Sequence, residues 1–223
     1  MTVATRNAED IKKDVVDQLY WDGRVNAADV QVEVSGDRVA LTGTVPSLGA
    51  RQAADEDVWS IEGVKAVDNQ LNVRLPAGVS PLSDETIAAN VANTLLWHPD
   101  IGSSDVTPVV NKGWVILKGS VDSYWQKILV EEIASSLSGV LGLTNELAVV
   151  PSKDVTDQSI AAAIVSALER NADVDPDRVN VTVEDGVVTL SGAVPNVMAY
   201  RAAYNAAQRT VGVVNVENKL TFA

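Results

Sequence analysis

One seven-residue segment occurs three times in this chain of 223 residues. It reads VALTGTV at 39–45, VILKGSV at 115–121 and VTLSGAV at 188–194. The central glycines are separated by 76 and then 73 residues, and the same two offsets align many positions outside the segment. The aligned sets include Ile11 with Ile87 and Ile160, Leu19 with Leu95 and Leu168, and Asn69 with Asn145 and Asn218. No gap is needed within a unit, so the chain is a tandem triplication.

Two short proline-bearing segments, LPAGVSP at 75–81 and VPSKD at 150–154, separate the copies. We therefore predict three modules with boundaries 1–78, 79–152 and 153–223, called repeats one, two and three below. Since modules of this size are marginally stable alone, we expect neighbouring repeats to pack against each other.

Each repeat has the hydrophobic pattern of helix, strand, strand, helix, strand. In repeat one, Ile11, Val15 and Leu19 place apolar side chains on one face of the first helix. The first two strands alternate apolar and polar residues, and a two-residue turn such as Asp185-Gly186 joins them as a hairpin. The second helix of repeat one is predicted at about 47–61. Because each strand has one apolar face, we expect each sheet to be covered on one side.

The order of the strands follows from two residue types. Pro108 falls in the first strand of repeat two, and proline is tolerated mainly on edge strands, so the second strand is central. Gly43 lies on the covered face of that central strand, where we expect a helix backbone to approach closely. The second helix is then a crossover to a parallel third strand. The predicted fold class is α+β, with three tandem αββαβ modules, each a three-stranded mixed sheet covered on one face by two helices.

The charge and composition of the chain exclude several classes of function. The formal net charge is −13, and each repeat is acidic, with 8 basic and 13 acidic side chains in the first, 3 and 8 in the second, and 6 and 9 in the third. This balance argues against nucleic-acid binding, which requires a basic surface. The absence of cysteine excludes disulfides and thiolate chemistry. No apolar run reaches the ~18 residues of a membrane span.

The location of the protein is predicted from its first residues. They lack a basic segment followed by an apolar stretch, so no secretory signal is recognised. We expect a cytoplasmic protein, or a periplasmic one if an export signal has been removed.

The longest signature is in repeat three, where DGVVTLSGAVPN at 185–196 is followed by VGVVNVENKLTF at 211–222. This pattern resembles the BON domain, a family named for bacterial osmotic-shock and nodulation proteins, and the resemblance extends over about residues 9–222. It implies an αββαβ module, often in tandem, with roles in stress tolerance and in phospholipid or envelope association, and in some relatives a periplasmic chaperone role. It implies no enzymatic activity and no cofactor.

Several residues are of types that occur in catalytic or metal-binding sites. His98 is the single histidine of the chain, and we interpret it as a surface residue at a helix end. Asp173, Asp175 and Asp177 have the spacing of a calcium loop, with Glu184 at its twelfth position. Position six is not glycine, however, and residues 179–183 are needed as a strand, so we predict a solvated loop. Catalytic and metal sites are therefore not predicted.

An interaction surface is predicted at Trp21, Trp97 and Trp125. Trp21 and Trp97 occupy equivalent positions at the end of the first helix, where repeat three has Arg170. Trp125 begins the second helix of repeat two. Large rings at helix ends either contact a partner or lipid interface or fill gaps between packed modules.

Three functions remain open on this evidence. The first is a non-catalytic binding or structural protein that acts in stress tolerance through protein or phospholipid-surface contacts. The second is a holdase-like chaperone, which needs an exposed apolar patch of a few hundred Å². The third is a small-ligand or cation-binding sensor, suggested by the net charge of −13.

Overall fold

The computed structural model describes residues 6–75, 78–102 and 105–222. They form two compact units. The first extends up to Val91 and includes Val110–Val115 and Ala134–Thr144, and the second contains Ala92–Val109, Ile116–Ile133 and the chain from Asn145 onward. This division runs through repeat two, so the module boundaries given above stay a prediction.

Helices and strands follow the predicted order in each repeat. The helices are α1 (Ala8–Trp21), α2 (Leu48–Ser60), α3 (Asp84–Trp97), α4 (Tyr124–Ser135), α5 (Asp157–Glu169) and α6 (Val197–Gln208). The strands are β1 (Val30–Ser35), β2 (Arg38–Val45), β3 (Ala66–Asn69), β4 (Asn72–Val73), β5 (Asp105–Asn111), β6 (Trp114–Val121), β7 (Gly142–Asn145), β8 (Ala148–Val149), β9 (Val179–Glu184), β10 (Val187–Val194) and β11 (Asn215–Phe222). Single 3₁₀ turns at Ala27–Asp29 and Pro176–Arg178 precede β1 and β9.

Each repeat contains one mixed sheet whose central strand is the second strand of the hairpin. In repeat one β2 pairs antiparallel with β1 and parallel with β3 and β4, and in repeat three β10 lies between β9 and β11 in the same way. The order in repeat two is β5-β6-β7, with β8 also paired to β6. Pro108 therefore lies on an edge strand, as predicted. The α+β class with three tandem modules is confirmed, although the last strand is continuous only in repeat three.

The cores consist of the apolar faces that the sequence pattern predicts. In the first unit Ile11, Val15 and Leu19 of α1 are buried in one cluster with Val39 and Leu41 of β2. In the second unit the corresponding cluster combines α5 and β10 and contains Ile160, Ile164, Leu168, Val188 and Leu190. In both units the buried residues are thus those that the helix and strand periodicities place on one face of each element.

The prediction that a helix backbone approaches the central glycines is wrong. Gly43 has a φ of +116°, and a Cβ added there would collide with the carbonyl oxygen of Asp29, which ends the 3₁₀ turn before β1. The reason is the register of the hairpin, which places Val30 directly opposite Gly43, so the chain entering β1 passes over the glycine. Gly192 has the same relationship to Arg178.

Aspartates in the first turn of α5 and α3 hold the hairpin turns. The two carboxylate oxygens of Asp157 each accept a hydrogen bond of 2.9 Å, from the backbone N–H groups of Asp185 and Gly186. Asp84 binds the corresponding turn of repeat two in the same way. Repeat one has Ala8 at this position, so the bond is absent from that copy. No local sequence pattern marks these aspartates, because the hydrogen bonds join residues that are 28 and 29 positions apart.

The aligned asparagines bond to the backbone, as expected from their position in phase with buried leucines. Asn69 donates from Nδ2 to the carbonyl oxygen of Arg51 at 3.0 Å, and Asn145 donates to that of Lys127 at 2.9 Å. In repeat three Nδ2 of Asn218 is buried and has no partner among the described residues. Within the described ranges, the Nδ2 group of the aligned asparagine therefore ties the strand to the backbone of the second helix in repeats one and two, but not in repeat three.

Candidate functional site

α1 ends in two exposed aromatic residues. Tyr20 is 70% exposed and Trp21 is 81% exposed, and their rings pack edge to face with centroids 5.3 Å apart. The helix ends here because Asp22 adopts an extended backbone conformation. Since the buried face of α1 is formed by Ile11, Val15 and Leu19, the aromatic pair points away from the core. Trp21 is thus available for contact with a partner.

α3 ends in an equivalent apolar pair. Leu96 is 60% exposed and Trp97 is 83% exposed. His98 follows directly, and its Nδ1 accepts a hydrogen bond of 3.3 Å from the backbone N–H of Asp100. His98 is therefore a partly exposed residue at a helix end, as predicted. At the third equivalent position Arg170 caps α5, so repeat three lacks an aromatic helix end.

Trp125 lies in a different environment from the other two predicted tryptophans. It is the second residue of α4, is partly buried, and lines a cavity of about 640 Å³ together with Lys153 and Arg209. Its ring is less available to a large surface than those of Trp21 and Trp97.

Trp114 is an exposed ring that sequence analysis missed. It is 50% exposed, its Nε1 donates to Oγ1 of Thr144 at 2.9 Å, and its ring covers Gly142. Trp114 and Lys118 are an even number of residues apart on β6, so both lie on the polar face of the strand. This alternation could have indicated that Trp114 is exposed.

Charged side chains surround the C-terminal end of α1. The carboxylate of Asp22 accepts a hydrogen bond of 2.7 Å from Arg24, and this guanidinium lowers the pKa of Asp22 to about 2. Arg24 also lies 3.2 Å from Glu56. Asp22 is therefore ionised at neutral pH beside Trp21, and its charge is paired with that of Arg24.

Asp57 on α2 is a buried carboxyl in the same region, with 5% exposure. Its Oδ1 accepts a hydrogen bond of 3.0 Å from Nε2 of Gln18, while its Oδ2 has no partner among the described residues. Burial raises the pKa of Asp57, because the charged form loses hydration that the single hydrogen bond does not replace. This hydrogen bond links α1 to α2.

The candidate calcium loop serves a structural purpose. Oδ1 of Asp175 accepts a hydrogen bond from the backbone N–H of Asp177 and caps the 3₁₀ turn, whereas Glu184 lies at the end of β9. Within residues 6–75, 78–102 and 105–222, three or more histidine or carboxylate side chains never group in a way that could hold a metal ion. In the same part of the chain, every helix is too short or too polar to cross a membrane.

The chain is similar in sequence to a protein family and to individual proteins of known sequence. The family model described as BON domain matches residues 7–74, 83–151 and 156–223. Osmotically-inducible protein Y of Escherichia coli K12 is 30% identical over 145 residues, which cover 62% of this chain and 72% of that protein. A 21 kDa hemolysin of Actinobacillus pleuropneumoniae is 28% identical over 136 residues, covering 60% of this chain and 66% of the hemolysin.

A solved structure also aligns over most of the chain. It is the C-terminal domain of CdsD, the structural protein of the type III secretion system of Chlamydia trachomatis. The alignment covers 98% of this chain and 100% of that one, with 16% identity and a TM-score of 0.27. A similarity at this level gives no information on how the present chain acts.

Proposed function

This chain belongs to the BON domain family, and we propose that it is a non-catalytic, stress-related binding protein whose exposed helix ends contact a protein or a phospholipid surface. The observation that carries the proposal is the recurrence of an exposed tryptophan at the end of α1 and of α3, at 81% and 83% exposure. Covering two large rings at equivalent positions with a partner removes apolar surface from water, which is favourable. The role in stress is supported by the similarity to the osmotically inducible relative.

The tryptophan rings together with the net charge of the chain favour a neutral surface over an anionic one. Tryptophan is an amphipathic ring that is enriched at membrane interfaces and at protein interfaces. The net charge of −13 opposes binding to anionic lipid. The similarity to a protein named as a hemolysin motivates the phospholipid arm of the proposal.

Co-sedimentation with lipid vesicles tests this function. Vesicles of neutral phosphatidylcholine and vesicles that also contain anionic phosphatidylglycerol are compared at low ionic strength. The double variant Trp21→Ala/Trp97→Ala is expected to lose binding to neutral vesicles, whereas Trp114→Phe, which changes an exposed tryptophan on a strand, retains it. Absence of binding to both vesicle types removes the phospholipid arm and leaves protein contact as the proposed mode.

A further inference from the structure

α5 and α6 of repeat three form an open groove of about 860 Å³ on the side away from the sheet. Its floor consists of two rows of small residues spaced four apart, with Ala163 and Ala167 on α5 and Ala202 and Ala206 on α6. Residues four apart lie on one face of a helix, so each row is continuous. Small side chains leave the backbones of both helices open to close approach by another helix, which packs into grooves of this kind.

The rim of this α5–α6 groove is cationic. Arg170, Arg201 and Arg209 line it and are all exposed. They are three of the six basic side chains of repeat three. Among the residues that the structure describes, none of these guanidinium groups forms an ion pair. Asp173 also lines the groove and carries the acidic side chain found there. The three arginines give this surface a local positive charge in a chain with 30 acidic and 17 basic side chains.

Exposed apolar residues complete the groove. Met198, 63% exposed, begins the α6 row, and Val211, 55% exposed, lies just beyond the end of α6. An occupant that covers both must carry an apolar stripe along its length. The groove therefore requires two properties of its occupant, an apolar face toward the alanines and negative charge toward the arginines.

The equivalent surfaces of the other repeats lack this combination. In repeat one the positions of Ala167 and Ala206 are taken by Gln18 and Asp57, which hydrogen-bond to each other at 3.0 Å and bridge α1 and α2 directly. In repeat two the positions of Ala202 and Ala206 are taken by Leu129 and Ile133, which are much larger. The open cationic groove is thus a feature of repeat three, where the helix-end tryptophan is replaced by Arg170.

We propose that the α5–α6 groove of repeat three is a docking site for an acidic, amphipathic α-helix of a partner protein. The alanine rows admit the helix backbone, the exposed Met198 and Val211 contact its apolar stripe, and the three arginines pair with its carboxylates. This site is separate from the contacts made by the tryptophans, so its test does not depend on theirs.

Fluorescence anisotropy with designed helical peptides tests the site on the full chain. The probe is a fluorescein-labelled peptide of about 18 residues, long enough to form a helix alone, with an alanine–leucine stripe flanked by glutamates. A second peptide keeps the stripe and replaces every glutamate by lysine. We expect saturable binding of the acidic peptide at low ionic strength and much weaker binding of the basic one.

Variants locate the binding. Arg201→Glu is expected to weaken binding of the acidic peptide by roughly fivefold, the size of one exposed ion pair lost. Ala163→Leu is expected to weaken binding of the acidic peptide, because the larger side chain fills the floor of the groove. Ala163 is exposed, so this change leaves the core unaltered. Arg178→Glu, the same charge change in the same repeat outside the groove, and Trp21→Ala/Trp97→Ala are expected to leave it unchanged.

Three results overturn the proposal. The first is no binding of the acidic peptide, and the second is equal binding of both peptides. The third is a loss in Arg178→Glu as large as that in Arg201→Glu, which would show an effect of net charge alone. Vesicles containing phosphatidylglycerol add to the first result: if they bind through Arg201 and the acidic peptide does not bind, the groove is a lipid site and the proposal fails.

Discussion

The hydroxyl oxygen of Tyr124 lies 3.2 Å from that of Tyr204. Tyr124 comes from α4 of repeat two, yet it is 7% exposed and belongs to the core cluster of repeat three within the second unit. Burial raises the pKa of Tyr204, and the hydrogen bond to Tyr124 raises it further. In the second unit these two rings therefore join consecutive repeats, which agrees with the expectation that neighbouring repeats pack on each other.

Truncation of Tyr124 is expected to weaken this junction. Tyr124→Ala removes a buried ring and should lower the free energy of unfolding of the second unit by about 3 kcal/mol. Tyr204→Phe removes one hydroxyl and should cost about 1 kcal/mol. Urea unfolding followed by circular dichroism measures both. If Tyr124→Ala costs no more than Tyr204→Phe, the ring does not contribute to the core of repeat three.

Substitution of the central glycine is expected to be severe. Gly43→Ala forces a residue with a side chain into a φ of +116° and against the carbonyl oxygen of Asp29, so we expect a loss of about 3 kcal/mol or more. Gly23→Ala is the matched control, because an added Cβ at Gly23 meets no atom within 4 Å. Thermal unfolding of the two variants should differ clearly, and equal melting temperatures would contradict the steric argument.

Removal of the Asp157 carboxylate is expected to loosen the hairpin of repeat three. Asp157→Ala abolishes two charge-assisted hydrogen bonds to Asp185 and Gly186 and should cost about 2 kcal/mol. Asp154→Ala makes the same charge change at an exposed position nearby and should have little effect. Hydrogen exchange at the Asp185 and Gly186 amides reports the change directly, and unaltered protection would show that the carboxylate does not hold the turn.

The shifted pKa values of Asp22 and Asp57 predict that their contributions to stability change with pH in opposite directions. The pKa of Asp57 is raised in the folded chain, so its contribution is most favourable below about pH 4. That contribution falls as the pH rises toward the folded-state pKa, because the unfolded chain ionises first. The pKa of Asp22 is lowered to about 2, so its contribution is present above about pH 4 and is lost as the pH falls toward 2.

Asparagine variants separate these two effects. At pH 7 Asp57→Asn should stabilise the first unit, because it removes a buried charge whose Oδ2 has no partner among the described residues. Asp22→Asn should destabilise the same unit, because it weakens the bond to Arg24. Unfolding at pH 4 and pH 7 gives the sign of each difference. A loss of stability in Asp57→Asn at pH 7 would contradict the raised pKa.

The exposure of the helix-end tryptophans followed from sequence in part. Alignment of the repeats placed Trp21 and Trp97 at equivalent helix ends, but it left open whether they fill a gap or face solvent. The exposure of Trp21 was decided by the end of α1, where Asp22 has an extended backbone and the buried face of the helix stops at Leu19. Trp125 instead lines a cavity beside Lys153. No local sequence pattern distinguishes its environment from that of the two helix-end tryptophans.

The sequence by itself determined the triplication, the order of elements, the edge position of Pro108 and the buried faces of helices and strands. These features are periodic or local, and burial of one face is encoded every two residues in a strand and every three to four in a helix. The tertiary structure decided which backbone passes over Gly43, how Asp157 reaches a turn 28 residues away, and how two alanine rows and three arginines meet in one groove. Those relationships join residues that are distant in the chain, so they exist only after the elements have packed.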